Sequence, residues 1–148
     1  PLFMPTPGWS AARNCARPSP RTPRSPDRAG LDELTLLLVG IGALSPSPLL
    51  RSSGNAITET DQRELRELNA VGDVCLRYFD AEGRLVPSTF DQRVVGITPQ
   101  QLLSVERRLA VAGGTDKHAA IRAALTGGWV NILITDLDTA AALLAEQP

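Results

Sequence analysis

The residues with the clearest chemical potential lie in one short segment, Gly113-Gly-Thr-Asp-Lys117, between an apolar run and a helical pattern. Two glycines let the backbone approach a ligand closely, the first turn of a helix presents N–H groups, and Lys117 adds a full positive charge. This combination suits a phosphate group. The spacing matches neither the P-loop nor the dinucleotide fingerprint, and a tight strand-to-helix turn with a solvated lysine is the structural alternative.

Four other places could contribute to a site. Gly40-Ile-Gly42 follows an apolar run and favours either close approach to a ligand or the start of a loop. Arg51, in that loop, reaches the same ligand or is solvated. Asp73 either accepts hydrogen bonds from sugar hydroxyls or satisfies a turn. Thr135-Asp136 follows the last predicted strand, and Asp136 is predicted to be a helix N-cap, with participation in the site as the alternative.

Catalytic and metal chemistry find little support in the residue pattern. His118 is the only histidine, is predicted to be a solvated helix residue, and has no nucleophile companion. Cys15 and Cys75 lack metal-ligand spacing, and Cys75 is predicted to be a reduced core residue. Trp129 is interpreted as a packing residue of the core, with a platform for stacking a sugar ring as the alternative. We therefore expect no catalytic residue, no metal and no cofactor.

Short β-rich runs alternate with helix-period runs after residue 30, which is typical of α/β architecture. The predicted strands are 35–41, 73–79, 93–97, 108–112 and 130–134. The first and last of these are expected to be buried. Helices are predicted over 61–68, from Thr98-Pro99, from Thr115 or Asp116 to Gly127-Gly128, and after Asp136, where Leu137, Ala140, Ala141 and Leu144 form one apolar face. The order β-α-β-α at the C-terminal end implies parallel strands.

Composition divides the 148 residues into two parts. Residues 1–30 hold seven of the twelve prolines and five Arg against one Asp, and contain no Val or Ile. Because the whole chain has a net charge of −1 and this segment carries +4, residues 31–148 carry −5. We predict a Pro/Arg-rich irregular or disordered segment over 1–30 and a folded unit over 31–148. The charge of that unit argues against direct DNA binding, and no apolar run is long enough to span a membrane.

Five segments, taken in order, resemble a known family: LLLVGIGALSPSPLL, NAVGDVCLRYFDAEGRLV, RVVGI, LAVAGGTDKHAAIRAAL and VNILITDLDTAAALL. They are similar to the C-terminal sugar-binding (effector) domain of SorC/DeoR-type bacterial transcriptional regulators, from about Leu34 to Leu144. The resemblance implies a Rossmann-like, mostly parallel α/β fold of the sugar-phosphate isomerase/CoA transferase-like type, incomplete at its N-terminal side.

The resemblance also implies a function and a set of contacts. Gly113, Gly114 and Lys117 match the family's phosphate-binding segment, Asp73 matches an acidic position that contacts sugar hydroxyls, and Arg51 lies where the family places a basic contact. A non-catalytic cytoplasmic domain that binds a sugar or sugar phosphate is expected, homo-oligomeric in the full-length family. A sugar-phosphate isomerase-like enzyme is the alternative.

Departures from the family pattern concern the front of the chain. Family members are about twice as long, and neither a DNA-binding helix-turn-helix nor the first strand–helix units of the effector domain are recognisable here. Residues 8–30 lack the helical period that the family would show. We therefore expect a partial, truncated and locally altered domain, with a disordered linker as the alternative for residues 8–30.

Overall fold

The computed structural model describes residues 30–45 and 57–145. Arg51, Cys15 and nearly all of the Pro/Arg-rich segment lie outside these residues, so the predictions made for them are not addressed by the fold. Within the described ranges, six strands and four α-helices follow one another. The strands are β1 (Leu36–Val39), β2 (Gly42–Ala43), β3 (Gly72–Val74), β4 (Arg77–Phe79), β5 (Arg107–Val111) and β6 (Ile132–Ile134). The helices are α1 (Glu59–Glu67), α2 (Pro99–Ser104), α3 (His118–Thr126) and α4 (Leu137–Ala145).

A parallel sheet of the order β1-β5-β6 forms the centre of the described fold. Leu38 pairs with Leu109 on one side of β5, and Ala110 pairs with Leu133 on the other. The predicted β-α-β-α order is therefore confirmed in β5-α3-β6-α4. Because all three strands run in one direction, their carboxyl ends lie along one edge, called here the carboxyl edge.

One face of this sheet is packed and the other is open. Leu37, Val39 and Leu133 pack against a core that includes Ala110 and Ile121 of α3. The residues between them on the strands are exposed, with Leu38 at 69%. The expectation that the first and last strands are buried is therefore wrong for one of their faces. The large apolar side chains exposed on β1, β5 and β6 are Leu36, Leu38, Val111, Ile132 and Ile134.

A small antiparallel sheet, β2-β3-β4, lies beside the parallel sheet, and its hairpin corrects two predictions. The predicted strand 73–79 is divided into β3 and β4 by a two-residue turn at Cys75 and Leu76. Both turn residues have left-handed backbone conformations, with φ of 53° and 63°. Cys75 is exposed and not a core residue, because the turn carries it out of the sheet.

The predicted strand over 93–97 is also absent from the described fold. A short 3-10 turn, Asp91–Arg93, leads instead into an irregular segment. This segment is held by the buried side chain of Arg77, which pairs with Asp91 at 2.6 Å and donates to the carbonyl oxygen of Ile97 at 3.0 Å. A buried guanidinium that binds backbone carbonyls takes the place of a strand ladder here.

The helix signals are confirmed at several ends and corrected at others. Thr98 caps α2 with Pro99 at the first position, and α3 ends at Gly127, as predicted. The predicted helix after Asp136 is confirmed as α4, and both ends of its apolar face are exposed: Leu137 at 84% and Leu144 at 67%. Thr139, between them in sequence, is the side chain that α4 buries completely.

Trp129 packs, as predicted, in the core beneath α3. Its ring stacks on Phe79 with centroids 5.4 Å apart, and its Nε1–H donates to the carbonyl oxygen of Gly83 at 2.7 Å. Gly83, in the turn at 80–83, has a positive φ of 75°, and a Cβ there would lie 2.4 Å from the Ala123 carbonyl oxygen. The 80–83 turn is thereby fixed against the end of α3.

Candidate functional site

The candidate site lies at the carboxyl edge, where three strands of the parallel sheet end. β1 leads into Gly40 and Ile41, β5 leads into Gly113 and Gly114, and β6 leads into Thr135 and Asp136. Ligands of open parallel sheets bind beyond this edge, because loops diverge there and helix N-termini point toward it. The pair Gly113 and Gly114 is called here the glycine turn.

Lys117 is positioned over the end of β1. Its Nζ donates to the carbonyl oxygen of Ile41 at 3.0 Å, so one of the three ammonium donors is used and the amine is held at the carboxyl edge. It is the only lysine in the sequence, the other basic residues being arginines and His118. A compact cation is thus fixed beside the glycine turn.

Asp73 reaches the same place from the antiparallel sheet. It pairs with Gly42 across β2 and β3, and its Oδ1 lies only 2.0 Å from the point where a Cβ on Gly42 would stand. Its Oδ2 accepts the N–H of Leu76 at 2.9 Å, which closes the hairpin turn. Burial raises the pKa of Asp73 to about 6, against the opposing effects of the Leu76 N–H and of the Lys117 charge. Asp73 therefore carries out the turn role and lies within electrostatic reach of Lys117.

The glycine turn is held from the α4 side. The N–H of Gly114 donates to Asp136 Oδ2 at 2.9 Å and to Thr139 Oγ1 at 3.0 Å. A Cβ on Gly113 would lie 2.0 Å from Asp136 Oδ2, and Gly114 has a φ of 98°, so both positions require glycine. These contacts explain the two glycines by packing and backbone conformation within the protein.

Asp136 is confirmed as the N-cap of α4. Its Oδ1 accepts the N–H of Thr139 at 2.8 Å, and its Oδ2 accepts the Thr139 hydroxyl at 2.8 Å. Hydrogen bonds from the Thr139 backbone and hydroxyl, and then from the Gly114 N–H, lower the pKa of Asp136, so it is ionised at neutral pH. The same carboxylate therefore begins α4 and holds the glycine turn.

The segment after the glycine turn begins without a side-chain cap, which corrects the expectation that Thr115 or Asp116 fills this role. A 3-10 turn over Thr115–Lys117 leads into α3, and neither Gly114 nor Lys117 caps it through a side chain. The backbone N–H of Lys117 bonds to the Gly114 carbonyl oxygen. The start of this helical segment, with its partial positive charge, faces the carboxyl edge beside Lys117.

Three further side chains, His118, Thr139 and Thr135, lie beside the candidate site. His118 was expected to be solvated, but it is half-buried and its Nε2 lies 3.2 Å from Thr139 Oγ1. Thr139 is fully buried. Among the described residues, Thr135 Oγ1 is a buried side-chain oxygen without a hydrogen-bond partner, and it faces Gly113. An Asp-x-x-Thr spacing at a helix start is the one local signal that could have indicated Thr139.

The structure thus brings together four of the five predicted site residues: Asp73, Gly113, Gly114 and Lys117. Arg51 lies outside the described residues. In the described part of the chain, no group of three or more His, Cys, Asp or Glu side chains is placed to hold a metal ion. The described helices also include none with the length and apolar character needed to cross a membrane.

Comparisons with known proteins agree on the type of domain. A family model described as "Putative sugar-binding domain" matches residues 29–145. An uncharacterized transcriptional regulator, YjhU of Escherichia coli, is 39% identical over 123 residues, which cover 80% of this chain and 37% of that protein.

Two solved structures extend this result. The "putative sugar-binding domain" of the transcriptional regulator DeoR from Pseudomonas syringae pv. tomato is 40% identical, with a TM-score of 0.58 over 78% of this chain and 41% of that one. The full-length sorbitol operon regulator SorC from Klebsiella pneumoniae is 28% identical, with a TM-score of 0.70 over 79% of this chain and 37% of that one. The chain therefore spans well under half the length of these relatives, and the predicted Rossmann-like α/β fold is confirmed.

Proposed function

The chain belongs to the family of sugar-binding domains of SorC/DeoR-type transcriptional regulators, and from that premise we propose that it senses a phosphorylated sugar at the carboxyl edge. Lys117 and the first N–H groups after the glycine turn bind the phosphate, and Asp73 binds sugar hydroxyls. The domain acts by binding, without catalysing a reaction. An attached DNA-binding unit would respond to the bound state.

The observation that carries this proposal is the convergence of Lys117 and Asp73. They are 44 positions apart in the sequence, yet the Lys117 charge acts on the Asp73 carboxyl. Lys117 bonds to the Ile41 carbonyl oxygen, and Asp73 pairs with the next residue along the chain, Gly42. A cation and a carboxylate held beside consecutive residues of one edge suit a ligand with an anionic end and a hydroxyl-bearing end.

Phosphate is favoured at the Lys117 side for a physical reason. A primary ammonium and uncapped helical N–H groups both stabilise negative charge, and the phosphate oxygens are strong acceptors. At the other side an ionised carboxylate accepts hydrogen bonds only, which suits the O–H groups of a sugar. The pKa of about 6 keeps Asp73 mostly ionised at neutral pH.

An isomerase-like enzyme is the second candidate, and one observation favours it. A carboxyl with a pKa of about 6 has the proton affinity that a general base needs near neutral pH. Against it, the relatives described above are named transcriptional regulators. A coupled isomerase assay separates the two: turnover that is lost in Asp73→Asn would favour the enzyme.

The regulatory part of the proposal follows from population shift. A ligand that binds one arrangement of an oligomer more tightly shifts the population toward it, and so changes how attached helix-turn-helix units meet an operator. Homo-oligomerisation, DNA contact through such a unit and a cytoplasmic location are parts of this proposal.

The test is a thermal-shift and calorimetric titration of the chain with paired sugars: glucose and glucose 6-phosphate, fructose and fructose 6-phosphate, ribose and ribose 5-phosphate. Lys117→Ala is expected to weaken binding of the phosphorylated member by roughly 10- to 100-fold, the effect of losing one charge-assisted contact. Arg107→Ala is the matched control, because Arg107 is an exposed cation at the opposite end of β5.

Two outcomes would contradict the proposal. The first is the absence of stabilisation by every phosphorylated sugar. The second is equal weakening by Lys117→Ala and Arg107→Ala, because a general loss of positive charge would then account for the effect. Stabilisation by the phosphorylated sugars that only Lys117→Ala removes supports it.

A further inference from the structure

A buried threonine and an exposed carboxylate on α4 determine the shape of the glycine turn. Gly114 donates its N–H to both Asp136 and Thr139, at 22 and 25 positions of separation in the chain. Thr139 is fully buried, so its hydroxyl contacts protein groups and no solvent. The pair Asp136 and Thr139 is called here the α4 clamp.

We propose that the α4 clamp is a positioning device for phosphate recognition. By holding Gly114 from the α4 side, it directs the following N–H groups and Lys117 toward the carboxyl edge, although neither clamp residue needs to touch the ligand. The inference rests on the proposed function and adds to it the residues that set the affinity for the anionic end of the sugar.

The direction of each hydrogen bond shows why the clamp works as a unit. The Thr139 hydroxyl donates to Asp136 Oδ2, so its oxygen is left to accept. It accepts the N–H of Gly114, and it accepts from His118 Nε2, which must therefore carry the proton. The clamp thus ties together the glycine turn, the first residue of α3 and the first turn of α4.

The clamp also changes which donors are open to an anion. The N–H of Gly114 is the donor that a glycine-rich turn would offer first, but Asp136 and Thr139 already occupy it. The Lys117 N–H is used as well, because it donates to the Gly114 carbonyl oxygen. The donors left on this turn are the N–H groups of Thr115 and Asp116, together with the Lys117 ammonium. A phosphate is therefore expected to bind at the residues that directly follow the glycine turn, and not at the Gly114 N–H itself.

A purely structural role would predict something different. A residue that only supports the fold affects the binding of phosphorylated and plain sugars alike, because both lose the same folded protein. A positioning residue affects the anionic end, so the ratio between the affinities for a sugar phosphate and for its plain sugar falls. This ratio is the readout of the experiment.

The principal variant is Asp136→Asn, with Asp138→Asn as its matched control. Each variant removes one negative charge near the N-terminus of α4, from its N-cap or from its first turn, and both side chains are exposed. Asp136 accepts three hydrogen bonds through two oxygens, whereas an Asn side chain turns an NH₂ donor toward one set of those donors. Asp136→Asn is expected to lower the affinity ratio about tenfold, the value of one hydrogen bond to a charged group.

A second pair of variants tests Thr139 directly. Thr139→Val keeps the shape and removes the hydroxyl, and Thr139→Ser keeps the hydroxyl. We expect Thr139→Val to lower the affinity ratio and Thr139→Ser to retain it. The melting temperature without ligand is recorded for each variant, so that binding is compared only among folded proteins.

The outcomes separate the two proposals. If the unaltered chain binds no sugar phosphate, the proposed function fails and the clamp proposal fails with it. If the unaltered chain binds, and Asp136→Asn keeps the ratio or Asp138→Asn lowers it equally, the clamp proposal alone is overturned. A lower ratio in Asp136→Asn and Thr139→Val, with Asp138→Asn and Thr139→Ser unchanged, supports it.

Discussion

Replacing Asp73 by Asn is expected to make the protein more stable at neutral pH, although it removes the carboxylate that we propose binds sugar hydroxyls. Burial raises the pKa of Asp73 from 3.8 to about 6, so the ionised form is disfavoured in the folded chain. At about 1.4 kcal/mol for each tenfold change in proton affinity, ionised Asp73 costs the folded state about 3 kcal/mol. Water reaches part of the side chain, so about half of this value is a realistic gain.

The sign of the pH dependence follows from the direction of the pKa change. The folded-state pKa lies above the unfolded one, so the cost is fully present above pH 6 and disappears as the pH falls below 3.8. Asn has no ionised form, and its carbonyl oxygen can still accept the Leu76 N–H. The stability difference between Asp73→Asn and the parent should therefore be largest at pH 8 and fall to about a third of that value at pH 4.5.

The assay is urea denaturation followed by tryptophan fluorescence at pH 8, 7, 6 and 4.5. At pH 8 the expected gain of about 1–2 kcal/mol corresponds to a rise in melting temperature of roughly 4–8 °C. Asp80→Asn is the control of opposite sign. Burial raises the pKa of Asp80, but hydrogen bonds from the Arg84 backbone and side chain outweigh this effect and lower it. The ionised carboxylate therefore stabilises the folded chain, and Asp80→Asn should reduce the free energy of unfolding at high pH.

Two results would refute this reasoning. One is a gain in Asp73→Asn that is the same at pH 8 and pH 4.5, because the ionised form would then not be its cause. The other is a lower stability at pH 8, which would mean that the carboxylate is favourably solvated or paired in the folded chain. In either case, ionised Asp73 would not destabilise the folded chain, and the argument that its carboxylate is kept for ligand binding would fail.

Three further changes test the turns and the open sheet face. Cys75→Gly should raise the free energy of unfolding, measured by urea denaturation, by about 1 kcal/mol, because Cys75 has a φ of 53° that glycine adopts without strain. The control Ala81→Gly, at a residue without a positive φ, should lower the free energy of unfolding. Gly83→Ala should cost at least about 2 kcal/mol, because its Cβ would meet the Ala123 carbonyl oxygen at 2.4 Å; Gly96→Ala, with open space around it, should change the melting temperature little. Leu38→Lys should reduce concentration-dependent light scattering without lowering the melting temperature, because Leu38 is 69% exposed, whereas Leu37→Lys should unfold the chain because Leu37 packs on the core.

The elements that flank the candidate site could be predicted because their signals are local. The apolar run of β5, the glycines after it, the helix to Gly127 and the Asp136 cap each depend on residues within a few positions of one another. Lys117 and the glycine turn were found in this way.

The hairpin at Cys75 could not be found locally. Neither Cys75 nor Leu76 is a turn residue, and the alternation of apolar side chains around them favours one continuous strand. The turn is stabilised by the Asp73 carboxylate, which accepts the Leu76 N–H. Leu76 also packs against a cluster of buried side chains that includes Tyr78 and Phe90. Such tertiary contacts override a weak backbone preference.

By itself, the sequence determined the type of fold and the family and indicated the residues of a candidate site, because periodicity, caps and motifs can be recognised within short segments of the chain. Only the tertiary structure decided which of those residues meet. It placed Asp73 near Lys117, attached Gly114 to Asp136 and Thr139, and left one face of the parallel sheet exposed. These features depend on contacts between segments that are far apart in the sequence. The pattern of side chains within one segment does not specify which other segment it will pack against.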